Sequence, residues 1–89
     1  GPALIYPNGT EYWVREGVFH RKDGPAVIES FREKYWYENG KCHREDGPAV
    51  IYEDGEKEWW LNDKEYSFEK WFQKTTNEGR ISFLFSGGE

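Results

Sequence analysis

A 23-residue period runs through these 89 residues and sets the size of any unit they can build. Gly-Pro-Ala begins at Gly1, Gly24 and Gly47, and Trp13, Trp36 and Trp59 keep the same spacing, as do Ile5, Ile28 and Ile51. His20-Arg21 and His43-Arg44 lie one period apart, each with an Asp two residues after the arginine, at Asp23 and Asp46. Independent markers on one period indicate a repeat architecture, in which each block buries its surface against its neighbours. The third copy runs through Trp59-Trp60-Leu61-Asn62-Asp63-Lys64, then carries Tyr66-Ser67 where the others have His-Arg. The array stops there. The blocks are residues 1–23, 24–46 and 47–66, and 67–89 form a helical cap and tail.

Inside a block, a short β-rich run (Ala3 to Tyr6, Ala26 to Ile28, Ala49 to Tyr52) leads to Asn8-Gly9 or Asp54-Gly55 and then to an aromatic run around the Trp. These dipeptides tolerate the positive φ of a type I′ turn, so the spacing predicts a β-hairpin. The second block has Phe31-Arg32 at the turn, which predicts a looser or longer connection. Further turn signals stand at Glu16-Gly17, Asn39-Gly40, Asp23-Gly24-Pro25 and Asp46-Gly47-Pro48. Alternation sets Trp36 on the face of Lys34 and Glu38 with Tyr35 and Tyr37 opposite, and Trp13 between Glu11 and Arg15 with Tyr12 and Val14 opposite. Aromatics on both faces predict a mainly β fold: an elongated, single-layer sheet of tandem antiparallel hairpins held by aromatic ladders.

After Tyr66, Ser67 is a helix N-cap signal, with Glu69 in the first turn and Phe68, Trp71 and Phe72 at helical spacing. They predict a short capping helix over the last hairpin, with Asn77 and Gly79 at its stop. Ile81, Phe83 and Phe85 alternate with Ser82, Leu84 and Ser86, the pattern of one more strand before Gly87-Gly88 release the chain.

Composition narrows the functional classes. Aromatics make up 19% of the chain against 36% hydrophobic residues overall, so ring burial must carry much of the stability. So short a chain holds a thin core and little room for an enclosed catalytic pocket. The net charge of -5 opposes binding to nucleic acid or to an anionic membrane, both of which rest on positive fields, and points to a protein partner. Cys42 is the sole cysteine and excludes an internal disulfide; a lone thiol suits the reducing cytoplasm. The residues show no membrane-spanning run and no signal-peptide pattern. Gly1-Pro2 fits either a tag remnant or a cut from a longer array.

The stretch Tyr35 to Lys57, with its aromatic start, its Asn-Gly-Lys turn and its closing aromatic-x-Asp-Gly, resembles the MORN repeat, and the resemblance covers about two thirds of the chain. MORN units usually carry His-Gly-x-Gly at their centre. Here His-Arg-x-Asp-Gly-Pro-Ala stands instead, which resembles a divergent MORN-like class common in bacterial and phage proteins. The resemblance implies an antiparallel sheet used as a protein-binding or assembly scaffold.

His-Arg-x-Asp invites a catalytic or phosphate-binding reading. Its recurrence with the hairpin favours a structural one, in which the Asp accepts bonds at the turn and the Arg pairs with it or lies over a Trp. Cys42-His43 lacks the partners for a closed zinc set, and no phosphate loop, carboxylate pair or nucleophile elbow is present, so neither metal, cofactor nor enzymatic activity is expected. The candidate interface comprises Tyr35, Trp36, Tyr37, Lys41, His43, Arg44, Trp59 and Trp60, since Trp, Tyr and Arg dominate binding hot spots. The first expectation is a small cytoplasmic adaptor or inhibitor that binds a protein. Two rivals are a nucleotide-binding protein, with rings stacking a base while His43 and Arg44 hold phosphate, and an acidic nucleic-acid mimic built from Glu29, Glu33, Glu38, Glu53, Glu56 and Glu58. Open sheet edges leave self-association available as well.

Overall fold

The computed structural model describes residues 2–30 and 32–87. Gly1, Phe31 and Gly88, which figure in the expectations above, lie outside them. Among the described residues the chain forms ten short strands, β1 (Pro2–Ile5), β2 (Glu11–Arg15), β3 (Val18–Phe19), β4 (Val27–Glu29), β5 (Glu33–Tyr35), β6 (Tyr37–Glu38), β7 (Lys41–Cys42), β8 (Val50–Ile51), β9 (Lys57–Leu61) and β10 (Lys64–Tyr66). Two helices follow, α1 (Phe68–Lys74) and α2 (Asn77–Phe85). The main sheet runs β1-β2-β4-β5-β8-β9-β10 with β3 on β2, and β6-β7 form a separate ribbon. Every pairing is antiparallel.

Bonding between neighbouring blocks is the same at both junctions. Strand β2 pairs with β1 of its own block and with β4 of the next, Tyr12 opposite Val27 and Glu11 opposite Ile28. Strand β5 does the same with β8, Tyr35 opposite Val50 and Lys34 opposite Ile51. The Trp13 N–H donates to the Ala26 carbonyl at 2.8 Å, and the Trp36 N–H to the Ala49 carbonyl at 2.7 Å. Those alanines and the valines after them are the buried core of the sheet: Ala26, Val27, Ala49 and Val50, with Cys42 beside them.

The turns differ from expectation in which glycine does what. Positive φ at both central residues, the mark of type I′, occurs at Glu16-Gly17 (50° and 81°), Asn39-Gly40 (52° and 79°) and Asn62-Asp63 (50° and 70°). At Asn8-Gly9 and Asp54-Gly55 only the glycines are left-handed, both at 90°. There the Gly9 N–H donates to the Tyr6 carbonyl and the Gly55 N–H to the Tyr52 carbonyl, so each is a type I turn followed by a single left-handed residue. Asn8 and Asp54 are used for their side chains, which accept from the backbone N–H of Thr10 and Glu56. The second block closes with the same bond, Arg32 N–H to Glu29 carbonyl at 2.9 Å, so its connection is not longer; its left-handed residue is Ser30 at φ 51°, at the start of the turn rather than after it.

The tail is a second helix rather than a strand. Helix α1 stops at Lys74, and Thr76 caps α2, its hydroxyl accepting from the Gly79 N–H at 2.9 Å. Gly79 is thus an interior position of the first turn of α2, not a stop. The alternation Ile81, Phe83, Phe85 misled because three alternating apolar residues also fit a helix with one buried member: Phe83 is buried, and Ile81, Leu84 and Phe85 are exposed. Ser67 caps α1 as expected, accepting from the Lys70 N–H at 3.3 Å. No helix is long and apolar enough to cross a membrane among the described residues. The principal extents are 37 × 29 × 21 Å and the radius of gyration is 12.8 Å, close to the roughly 12 Å of a compact chain of this length. The chain is therefore compact.

Gly79 sets a test of how the cap sits. Replacing glycine by alanine inside a helix ordinarily stabilises by about 1 kcal/mol. A Cβ at Gly79 would fall 1.9 Å from the Glu45 carbonyl oxygen. Gly79→Ala is expected to reverse the usual sign and lower stability by about 2 kcal/mol or more in urea unfolding.

Candidate interface

The His-Arg-x-Asp-Gly-Pro-Ala signature closes on itself. The Arg21 guanidinium lies 3.7 Å from the centre of the Trp13 ring, and that of Arg44 lies 4.0 Å from Trp36. Each Nε donates to the following Asp, Arg21 to Asp23 at 2.9 Å and Arg44 to Asp46 at 2.8 Å, and each Nη1 donates to a proline carbonyl, Pro25 or Pro48. The glycine is part of the same packing. A Cβ at Gly24 would sit 2.8 Å from the Arg21 Cζ, and one at Gly47 2.7 Å from the Arg44 Cζ, so only glycine lets the guanidinium lie flat against the backbone. The histidines hold the next block: His20 Nδ1 accepts from the Asn39 N–H and His43 Nδ1 from the Asn62 N–H, both at 2.9 Å. Arg21 holds the Asp23 carboxyl below its usual 3.8 through its hydrogen bond and its charge.

One period after Arg44 stands Ser67, and the cap rings take the place of the missing guanidinium. Trp59 meets Trp71 at 4.7 Å, Phe68 at 4.8 Å and Phe83 at 5.5 Å. Trp71 is fully buried and its Nε1 donates to the Arg44 carbonyl at 3.0 Å, while the Thr75 hydroxyl donates to the Glu45 carbonyl. Trp13, Trp36 and Trp59 thus share one face of the sheet, and that face is covered by arginines and helices.

The opposite face carries rings with no such cover. Tyr6, Tyr12, Phe19 and Tyr37 form a row across the strands with centroid spacings of 6.0, 5.9 and 5.4 Å. Tyr6 is 45% exposed and Phe19 37%. Further along the same face Tyr35 meets Tyr52 edge-on at 6.5 Å, and Trp60 packs on the small core of Cys42, Ala49 and Val50. Carboxylates tie these rings down: Tyr35 OH donates to Glu33 at 3.1 Å, Tyr52 OH to Glu58 at 2.9 Å, and Trp60 Nε1 to the other oxygen of Glu58 at 2.9 Å.

Protons on this face are held tightly. Burial, reinforced by Asp63, Glu58 and Glu65, pushes the Cys42 thiol up to about 12. Burial and the bond to Glu33 raise Tyr35 to about 12, and the bond to Glu58 followed by burial does the same for Tyr52. Tyr37 is raised by burial and by its neighbours Cys42 and Asp63.

The structure therefore divides the candidate residues. Tyr35, Tyr37 and Trp60 lie half-buried on the open face; Trp36, Trp59, His43 and Arg44 are spent on internal contacts, and Lys41 is exposed opposite Glu38 on the β6-β7 ribbon. Tyr6, Tyr12, Phe19 and Tyr52 join the open face without having been singled out. Their signal was present in the alternation, which sets Tyr12 opposite in sense to Trp13 but carries no mark of which side a helix will cover. Among the acidic residues, Glu29, Glu33, Glu53, Glu56 and Glu58 gather at the end of the sheet bearing the type I turns, and Glu38 lies apart near His43. Among the described residues no three His, Cys, Asp or Glu side chains converge to hold a metal ion. No family model matches the chain, and searches of the curated proteins and of the solved structures gave no match.

Two outcomes follow from these contacts. Arg44→Lys keeps the charge but loses the stacked plane and the fork of donors, so unfolding free energy should fall by about 1–2 kcal/mol, read from the urea midpoint. At alkaline pH, the unfolded chain sheds protons from Cys42 near its ordinary 9.0 and from Tyr35 and Tyr52 near 10.0, whereas the folded chain keeps them until about 12. Stability is then full below about pH 9 and falls as pH rises toward about 12. The same midpoint measured across that range should drop, and drop less in Cys42→Ala.

Proposed function

We propose that the chain is a MORN-like array of three hairpin units that works as a non-enzymatic protein-binding module, with the open aromatic face as its contact surface. The observation that carries this reading is the row Tyr6, Tyr12, Phe19 and Tyr37, continuous across the strands and partly exposed, on the face that neither the arginines nor the helices cover. Tyrosine and phenylalanine supply large, rigid contact area at small conformational cost, and they are enriched where interfaces store their binding energy. The signature residues that resemble catalytic groups are occupied: His43 Nδ1 and the Arg44 guanidinium already have partners within the fold. A nucleotide held by them draws no support from this geometry. The buried, unpaired thiol of Cys42 is compatible with a cytoplasmic adaptor or inhibitor, as is the resemblance to bacterial and phage MORN-like proteins.

The test compares the chain with Tyr12→Ala/Phe19→Ala, after thermal unfolding shows both folded, as immobilised baits in lysate of the source cell. A protein retained by the first and reduced at least about tenfold on the second supports the reading, since truncating two anchors removes more than 1.4 kcal/mol of binding. Equal retention by both, or none by either, overturns it.

A further inference from the structure

Folding places like charges face to face at one end of the open surface. Glu29 of β4 lies directly opposite Glu33 of β5 in the antiparallel register, and like charges in that position destabilise a sheet. Strand alternation sets both on the side of Tyr35, together with Glu56 and Glu58 on the side of Tyr52 and Trp60. The adjoining surface is an open concavity of about 770 Å³ lined by Glu33, Tyr52, Glu53, Asp54, Glu56 and Glu58, five carboxylates and no basic side chain. It continues into a second concavity of about 810 Å³ that shares Glu33 and Glu53 and contains one cation, Arg32, already paired with Glu53. The carboxylates also help hold the tyrosine protons: at Tyr52 the bond to Glu58 is the leading cause of its raised pKa, and at Tyr35 the bond to Glu33 adds to burial.

A sequence that keeps a repulsive cross-strand pair breaks a local rule of sheet design, and such breaks collect where a surface serves a partner rather than the fold. The complement to that arrangement is cationic and planar. Arginine and lysine gain from ring faces through cation–π attraction and from carboxylates through charge-assisted hydrogen bonds, and both are present here within one network joining Tyr35, Tyr52 and Trp60 to Glu33 and Glu58. We infer that the acidic end of the open face, from Glu29 and Glu33 to Tyr52, Glu56 and Glu58, docks an extended arginine- or lysine-rich segment of the partner protein. This rests on the protein-binding reading above and adds to it the chemistry of the partner. The row from Tyr6 to Tyr37 supplies apolar area, and the acidic end selects for charge and sets the register of the bound segment.

The experiment titrates the chain with a short peptide of alternating arginine and serine by calorimetry at low salt, with the glutamate-for-arginine peptide as control. Two variants of equal net charge decide the outcome: Glu29→Gln/Glu33→Gln on the open face, and Glu69→Gln/Glu78→Gln on the helices. The face variant should bind about tenfold more weakly and unfold no more easily than the parent, since relief of the Glu29–Glu33 repulsion offsets the weaker bond that a neutral amide oxygen accepts from Tyr35; the helix variant should bind within about twofold of the parent. Glu56→Gln, at an exposed position, repeats the test with every hydrogen bond among the rings left intact, and should weaken binding by severalfold. Equal weakening by the face and helix variants means a diffuse effect of net charge and overturns the inference, as does the absence of saturable binding to the parent chain. Either failure leaves the reading of the Tyr6 to Tyr37 row standing, because that is judged by different substitutions and a different readout.

Discussion

A guanidinium plane with an indole on one side and bare glycine backbone on the other holds the covered face of this sheet together. The contact needs four residues at fixed offsets: a Trp to stack on, an Arg to lie over it, an Asp to accept a hydrogen bond from its Nε–H, and a Gly thin enough to let it lie flat. Because the arginine also bonds the proline carbonyl that follows the glycine, the loop entering the next block is fixed to the block before it. Alanine and valine then enter the core in a set register, and everything downstream inherits that register. The desolvated charge is tolerable because each guanidinium has an anion, a carbonyl and a ring face around it.

The two faces of the sheet consequently have different duties. Arginines and helices close one, using the indoles as ballast, while the other keeps tyrosines whose hydroxyls are anchored by glutamates. Small folds seldom leave so many rings half in water without a reason, since each forfeits burial that the thin core needs.

Much of this was legible in the residues. The period, the strands around each Trp, the helix after Ser67 and the structural use of His-Arg-x-Asp all follow from spacing and from the known preferences of those side chains. What was not legible depended on three-dimensional neighbours. Alternation separates two faces but carries no mark of which one a distant helix will cover, so the candidate interface drew on both, with Trp36 and Trp59 from the covered side and Tyr35, Tyr37 and Trp60 from the open one. Asn-Gly and Asp-Gly announce a turn without distinguishing a glycine used for a bulge from one used in a type I′ pair; only the backbone bond to Tyr6 or Tyr52 decides. Gly79 looked like a helix stop because its actual reason, the Glu45 carbonyl pressed against it, comes from a residue more than thirty positions earlier.

Ser67 has one more consequence. It occupies the place of an arginine, and by that single exchange the third indole is handed from a cation to the aromatic cap. Length in such a chain is therefore counted by punctuation: any block that keeps the arginine invites another after it, and the first that lacks it ends the row. Insertion or loss of whole blocks would leave both the junction chemistry and the terminal cap unchanged, so duplication can extend the sheet and its open aromatic face in steps without redesigning either end.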